Sequence, residues 1–128
     1  MDGVDGWTEF TKTKDAAALA EHLAPDVVFR SPILFPPVKG REKVLMYLAG
    51  GASVLGGDDF RYTRIWRDGL GAAMQFESQI GDVWVNGVDL IELAEEGRIA
   101  TFTVMVRPLR AVNLLHQTMA RHLGVAQD

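Results

Sequence analysis

The acidic residue Asp89 lies within the apolar run Val88-Asp89-Leu90-Ile91. In a strand, alternate side chains share a face, so residue 89 shares its face with residues that carry no polar side chain, namely Val85, Gly87, Ile91 and Leu93. A carboxyl group enclosed there loses hydration and its pKa rises, so that it can donate a hydrogen bond as the neutral acid or accept a proton near neutral pH. The alternatives are an exposed acid at a sheet edge, or an acid paired across the sheet with Arg61, Arg64 or Arg107. The apolar face favours the buried position.

The three histidines, His22, His116 and His122, all fall in segments predicted to be helical. His116 and His122 are too far apart to share one face of a helix, which requires a spacing of about three or four residues. We therefore predict packing or helix-end positions for the histidines, and no metal site. The chain has no cysteine, which excludes disulfides, thiolate metal sites and cysteine nucleophiles.

The chain contains none of the common catalytic motifs: GxSxG, a phosphate-binding glycine loop, HExxH or a calcium loop. Two further polar residues precede prolines. Ser31, before Pro32, is predicted to form a turn. Arg107, before Pro108, is predicted to be a charge at the surface or at an interface. Asp89 is therefore the main catalytic candidate.

Five aromatic residues stand out as members of a core or of a cavity wall: Trp7, Tyr47, Trp66, Phe76 and Trp84. A small domain has few ways to bury so many rings without enclosing a cavity. Trp7 and Phe76 are the better candidates for a pocket, because apolar ligand pockets are lined by such side chains.

The length of 128 residues suits one hydrophobic core, and we predict a single domain over residues 1–128. The net charge of −4 is spread along the chain without a basic stripe, so nucleic acid is not an expected partner. No apolar stretch approaches the roughly 20 residues that cross a bilayer, and the first residues are acidic, unlike a targeting peptide. We therefore expect no membrane partner and a cytoplasmic location.

Apolar spacing predicts three helical segments. The first covers Trp7–Leu23, with a break near residues 13–15 where Asp15 can cap a second helix; the others are Gly40–Val54 and Ala111–Leu123. A short strand is predicted over Asp26–Arg30, and the proline-rich stretch 31–37 is expected to be a loop or a sheet edge.

Four further runs have strand character: Phe60–Trp66, Ala72–Ile80, Val83–Leu93 and Ile99–Val106. The turn formers Asp68-Gly69, Gly81-Asp82 and Glu95-Glu96-Gly97 separate them, which predicts an antiparallel meander and an α+β class. Asn86-Gly87 is also a good turn and would divide the third run. We favour a continuous strand in which Gly87 marks a bulge or a close approach.

The strand ending Val28-Phe29-Arg30-Ser31-Pro32, the helix opening Gly40-Arg41-Glu42 and the segment VNGVDLIELAEEGRIATFTVMVRPL resemble the nuclear transport factor 2-like superfamily. The resemblance is closest to its SnoaL-like and ketosteroid-isomerase-like bacterial members and covers nearly the whole chain. It implies a cone-shaped, curved mixed or antiparallel sheet wrapped around about three N-terminal helices, with a short C-terminal helix. It also implies a pocket inside the cone and a homodimer formed through the outer sheet face.

Three positions of this chain correspond, by the resemblance, to catalytic positions of ketosteroid isomerases. Ketosteroid isomerases place a general-base aspartate just before the proline of the first strand, where this chain has Ser31, and an oxyanion-hole tyrosine in the first helix, where it has Trp7. Their second oxyanion-hole acid matches Asp89. Epoxide hydrolases of the superfamily need an arginine at the position of Gly87. SnoaL-like cyclases use a single carboxyl in an apolar cavity, which this sequence provides.

We therefore expect a cofactor-independent isomerase, cyclase or lyase-type enzyme, such as a dehydratase, that performs proton transfer on a hydrophobic carbonyl-bearing molecule. Asp89 is its predicted catalytic residue. The predicted substrate-binding residues are Trp7, Ser31, Tyr47, Phe76, Val104 and Val106. Two alternatives are a non-catalytic carrier of the same fold and an interaction module that uses the outer sheet face and the C-terminal helix.

Overall fold

The computed structural model describes residues 1–124, in which four helices and six strands follow one another. In chain order they are α1 (Gly3–Thr13), α2 (Ala16–Ala20), β1 (Leu23–Arg30), β2 (Val38–Lys39), α3 (Arg41–Leu55), β3 (Arg61–Asp68), β4 (Gly71–Ile80), β5 (Val83–Leu93), β6 (Ile99–Arg107) and α4 (Leu109–Leu123).

The six strands form one sheet in the order β2-β1-β6-β5-β4-β3. Strands β3 to β6 are the predicted antiparallel meander, β1 runs parallel to β6, and β2 pairs antiparallel with β1. The sheet is curved and not closed. The predicted α+β class with a curved mixed sheet is confirmed. The C-terminal helix α4 begins two residues before its predicted start and is as long as α3, at 15 residues.

The first predicted helix is broken where the sequence indicates. Lys14 ends α1 in the left-handed conformation, with φ 59°, and the Asp15 side chain caps α2 by accepting from the Ala18 amide at 3.2 Å. The prediction that helix continues to Leu23 is wrong, because Leu23 pairs with Ile99 and already belongs to β1. Pro25 is tolerated in this strand because the pairing with β6 is irregular between Leu23 and Val28.

Two charged contacts hold the N-terminal end of α1 against β3. The guanidinium of Arg67 lies 2.8 Å from a carboxylate oxygen of Asp2 and 2.8 Å from one of Asp5. This guanidinium is the main reason that the pKa of Asp5 falls to about 2. Asp2 and Asp5 also form a capping box, so one cluster both starts the helix and sets its position on the sheet.

Both ends of α3 are also attached to strands. The Arg41 side chain donates two hydrogen bonds to the Leu23 carbonyl, at 2.9 and 2.7 Å. At the other end, the buried Ser78 hydroxyl donates to the Leu55 carbonyl at 2.6 Å, which satisfies a group that the helix leaves unpaired. These bonds set the position of α3 above the inner face of the sheet.

Strand β5 is continuous through Gly87, as predicted. Gly87 pairs in register with Phe76 and Val106, so it is not a bulge; the irregularity in the pairing with β6 falls between Glu92 and Leu93. It is a place of close approach, because a Cβ there would lie 2.5 Å from the Phe76 ring and 2.6 Å from the Met105 carbonyl oxygen. Glycine at position 87 therefore lets Phe76 lie across β5.

The turns follow the sequence, with one shift. Gly81 and Gly97 adopt φ of 62° and 95°, as their hairpins require. Between β3 and β4, Asp68 pairs with Gly71, so the loop residues are Gly69-Leu70, one position later than predicted. The Asp68 carboxylate accepts from the Leu70 amide at 2.7 Å and stabilises this turn.

Candidate functional site

A cavity of about 280 Å³ lies between the inner face of the sheet and helices α1, α3 and α4. Its walls are largely apolar. The residues that line it are Trp7, Thr11, Lys14, Phe29, Ser31, Pro32, Ile33, Leu34, Tyr47, Leu48, Gly51, Ala52, Leu55, Gly56, Phe60, Phe76, Asp89, Phe102, Val104, Leu115, His116, Met119, Ala120 and Leu123.

Asp89 lies on the inner face of β5 and is 4% exposed, so the buried position indicated by the alternation of the strand is confirmed. It pairs with Met74 on one side and Val104 on the other. The three arginines considered as partners bind elsewhere. Arg61 pairs with Glu77 at 3.0 Å, Arg107 donates to Asn86 at 3.1 Å, and Arg64 lies over the Trp66 ring.

Asp89 ends a chain of two short hydrogen bonds. The Trp7 indole Nε1 donates to the Tyr62 hydroxyl at 2.6 Å, and that hydroxyl donates to Oδ2 of Asp89 at 2.6 Å. The Trp7 ring packs edge-on against Phe102 at 4.7 Å between centroids, which holds the indole in place. The second carboxyl oxygen, Oδ1, has no hydrogen bond to a residue of the 1–124 segment. It remains free for a molecule in the cavity.

Burial raises the pKa of Asp89 to about 7, because a charged carboxylate in an apolar cavity loses its hydration; the hydrogen bond from Tyr62, with a smaller effect from Trp7, opposes the rise. Burial and the neighbouring negative charge of Asp89 raise the pKa of Tyr62 far above its usual value, so Tyr62 stays protonated. Near neutral pH the carboxyl therefore populates both of its forms. It has the acidity that a general acid or base needs.

Tyr62 was not predicted from the sequence as a site residue. It does not line the cavity but donates a hydrogen bond to Asp89, which makes it a positioning residue. The strand pattern of the sequence could have indicated Tyr62. The β3–β4 hairpin brings Tyr62 opposite Phe76, and Phe76 pairs with Gly87, so all three lie on the inner face. This register depends on the turn, which was predicted one residue too early, and on the irregular pairing between Tyr62 and Arg64.

The structure brings together five of the six predicted substrate-binding residues. Trp7, Ser31, Tyr47, Phe76 and Val104 line the cavity together with Asp89. Val106 lies on the same face of the sheet but is not part of the cavity wall; it packs against the second core cluster, beneath α4. Gly87 beside it allows the Phe76 ring to fill this part of the sheet. The roles of these residues in substrate binding stay predictions.

Ser31 is a turn former, as predicted. Its Oγ accepts hydrogen bonds from the amides of Ile33 and Leu34, both at 3.0 Å. The oxygen is thereby occupied in shaping the loop that contributes Pro32, Ile33 and Leu34 to the cavity wall. Ser31 contributes no base.

Two basic side chains line the cavity without having been predicted to do so, the exposed Lys14 and the half-buried His116. His116 had been assigned to helix packing, but α4 turns it toward the cavity. Within residues 1–124 no group of three or more acidic or histidine side chains could hold a metal ion. In the same segment, no helix has both the length and the apolar character to span a bilayer.

The sequence matches the model of the SnoaL-like domain over residues 4–102, and the chain belongs to this family. A steroid delta-isomerase from Pseudomonas aeruginosa is 33% identical, with a TM-score of 0.89, over 95% of this chain and 89% of that one. A protein with a cystatin-like fold from Silicibacter pomeroyi is 31% identical, with a TM-score of 0.88, over 95% and 85% of the two chains.

A protein from Shewanella denitrificans, described as a putative SnoaL-like polyketide cyclase, shares the fold. It is 15% identical, with a TM-score of 0.63 over 95% of this chain and 94% of that one. No curated protein matches the sequence. The predicted relation to the nuclear transport factor 2-like superfamily is confirmed.

Proposed function

We propose that this protein is a cofactor-independent proton-transfer enzyme, of the isomerase, cyclase or dehydratase type, that acts on a hydrophobic carbonyl-bearing small molecule. One observation carries the proposal: the buried Asp89 carboxyl, with a pKa near neutrality and one free oxygen, in the wall of an apolar cavity. The steroid delta-isomerase at 33% identity supports the reaction class. The cyclase supports the fold alone.

In the proposed step, ionised Asp89 takes a proton from the carbon next to the substrate carbonyl. The electrons of the broken C–H bond form a carbon–carbon double bond, and the carbonyl oxygen becomes an enolate oxygen. Protonated Asp89 then returns the proton to the same carbon or to a conjugated one, which gives back the substrate or its isomer. Tyr62 holds the carboxyl in place throughout by its hydrogen bond to Oδ2.

Hydrogen exchange tests this step without knowledge of the natural substrate. The bicyclic ketone 2-tetralone is incubated in D2O with the protein, and loss of its α-protons is followed by NMR. We expect the wild type to accelerate the exchange and Asp89→Asn to lose roughly a hundredfold or more of that acceleration, because the amide cannot accept the proton. The exposed Asp82→Asn is the matched control. Equal exchange by Asp89→Asn and the wild type would remove Asp89 from the mechanism.

The second candidate is a non-catalytic carrier. The observation that favours it is that, in the described part of the chain, Asp89 is the single carboxylate in the cavity wall, while Ser31 has its oxygen engaged in a turn. A carrier binds 2-tetralone, seen as chemical-shift changes of cavity amides, without accelerating its exchange.

The expected homodimer is part of the same proposal. Trp66, Trp84 and Met105 lie on the outer face of the sheet and are 52%, 60% and 54% exposed. Each stands on the side opposite to the row Met74, Asp89, Val104 in the strand register. Exposed large apolar side chains on one face are typical of a contact with another protein surface.

A further inference from the structure

The cavity has polar groups at two depths. Asp89, at its inner end, is 4% exposed, whereas Lys14 also lines the cavity but is exposed to solvent. The rest of the cavity wall is mainly apolar and includes Leu55 and Phe60. A ligand that fills this space therefore has one end near Asp89 and the other beside Lys14.

The backbone at Lys14 is unusual for a lysine. Its φ of 59° and ψ of 25° place it in the left-handed region, where a helix C-cap normally has glycine or asparagine. Its amide donates to the Phe10 carbonyl at 2.8 Å and closes α1. This conformation directs the side chain across the end of α3, where a Cβ on Gly56 would collide with Lys14 Nζ.

The Lys14 ammonium has neither a hydrogen bond nor an ion pair to a residue of the 1–124 segment. Partial burial lowers its pKa. The other titratable groups in the cavity wall are Asp89, Tyr47 and His116, and Asp89 is the one acid among them. A cation thus stands at the rim of an apolar cavity with no anion of the described chain to neutralise it.

We propose that Lys14 binds an anionic end of the ligand, such as a carboxylate, at the mouth of the cavity. The ligand is then an amphipathic acid whose apolar body extends from Lys14 toward Asp89. The opposite orientation is unfavourable, because it would place the anion beside the buried Asp89 carboxyl. His116 also lines the cavity and is a further hydrogen-bond donor in its wall. This inference rests on the proposed function, since it names the class of molecule that the cavity takes.

A matched pair of probes, octanoate and 1-octanol, separates the charge of the ligand from its apolar chain. Affinities are measured by NMR titration of the 15N-labelled protein. We expect the wild type to bind octanoate more tightly than octanol. Lys14→Gln should weaken octanoate binding roughly two- to fivefold, as for an ion pair near the surface, and leave octanol unchanged, while Lys14→Arg keeps the preference. Lys12→Gln, exposed on the same helix and outside the cavity wall, is the control.

Each other result counts against the inference in a distinguishable way. Equal affinity of the wild type for the two probes overturns the role of Lys14 but leaves the cavity as a binding site. Equal weakening of both probes by Lys14→Gln shows that the side chain acts through the shape of the site and overturns recognition of charge. Binding of neither probe overturns both this inference and the proposed small-molecule function.

Discussion

The Tyr62 hydroxyl donates to Asp89 Oδ2 at 2.6 Å across an intervening strand. Tyr62 lies on β3 and Asp89 on β5, with β4 between them in the sheet. The curvature of the sheet brings the two side chains together on its concave inner face. The polar centre of the cavity is therefore built by the sheet, and Trp7 of α1 adds to it through its bond to Tyr62.

Asp89 should make stability depend on pH. Its folded-state pKa of about 7 lies above the 3.8 of an unperturbed carboxyl, so the folded protein holds a proton that the unfolded chain releases. The contribution of this proton to stability is complete below about pH 4 and is lost as pH rises to about 7, by at most about 4 kcal/mol. Urea denaturation across this range should show the loss in the wild type and in Asp82→Asn. A similar loss in Asp89→Asn would contradict the assignment to Asp89.

Tyr62→Phe should change the acidity of Asp89. The hydrogen bond that Tyr62 donates stabilises the Asp89 carboxylate, so removing the tyrosine hydroxyl raises the pKa of Asp89 further. In the 2-tetralone assay, the pH midpoint of the exchange rate should move upward, and the rate at pH 7 should fall about tenfold. Tyr47→Phe is the control, because Tyr47 lines the cavity without bonding to Asp89. An unchanged midpoint in Tyr62→Phe would show that the bond does not tune Asp89.

Gly87→Ala should destabilise the fold. The new methyl group meets the Phe76 ring and the Met105 carbonyl oxygen, and the latter belongs to the backbone of the neighbouring strand. We expect a loss of about 1–3 kcal/mol in the free energy of unfolding, measured by urea denaturation. Gly57→Ala is the matched control, since a Cβ at residue 57 has no neighbour within 4 Å. Equal stability of Gly87→Ala and wild type would mean that β5 and β6 separate easily at this point.

Trp84→Glu and Met105→Glu should dissociate the proposed homodimer. Each puts a charge among the exposed apolar side chains of the outer sheet face, where a partner would bury it. Light scattering after size-exclusion chromatography should give a dimer mass for the wild type and a monomer mass for the two variants. Phe35→Glu, in the loop between β1 and β2 and 98% exposed, should remain dimeric. A monomeric wild type would refute the dimer itself.

Much of the fold follows from local sequence signals. The meander was predictable because its turns carry glycine where φ is positive, at Gly81 and Gly97, and because strand alternation marks one face as buried. The start of β1 was not, since Leu23 has the spacing of the preceding helix and becomes a strand residue only by pairing with Ile99, far along the chain. Long-range pairing overrides local propensity there.

For the site, the sequence by itself determined that Asp89 is buried, because a strand that alternates regularly places every second residue on the same face. Only the tertiary structure decided what surrounds it. Tyr62, Lys14 and His116 come from three separate elements, and their approach to the cavity depends on sheet curvature, on the left-handed turn at Lys14 and on the rotation of α4. The tertiary structure also decided that Val106 is not part of the cavity wall, since the Phe76 ring lies across the neighbouring Gly87. The positions of these side chains around the cavity depend on the packing of the whole chain, which the local spacing of residues does not encode.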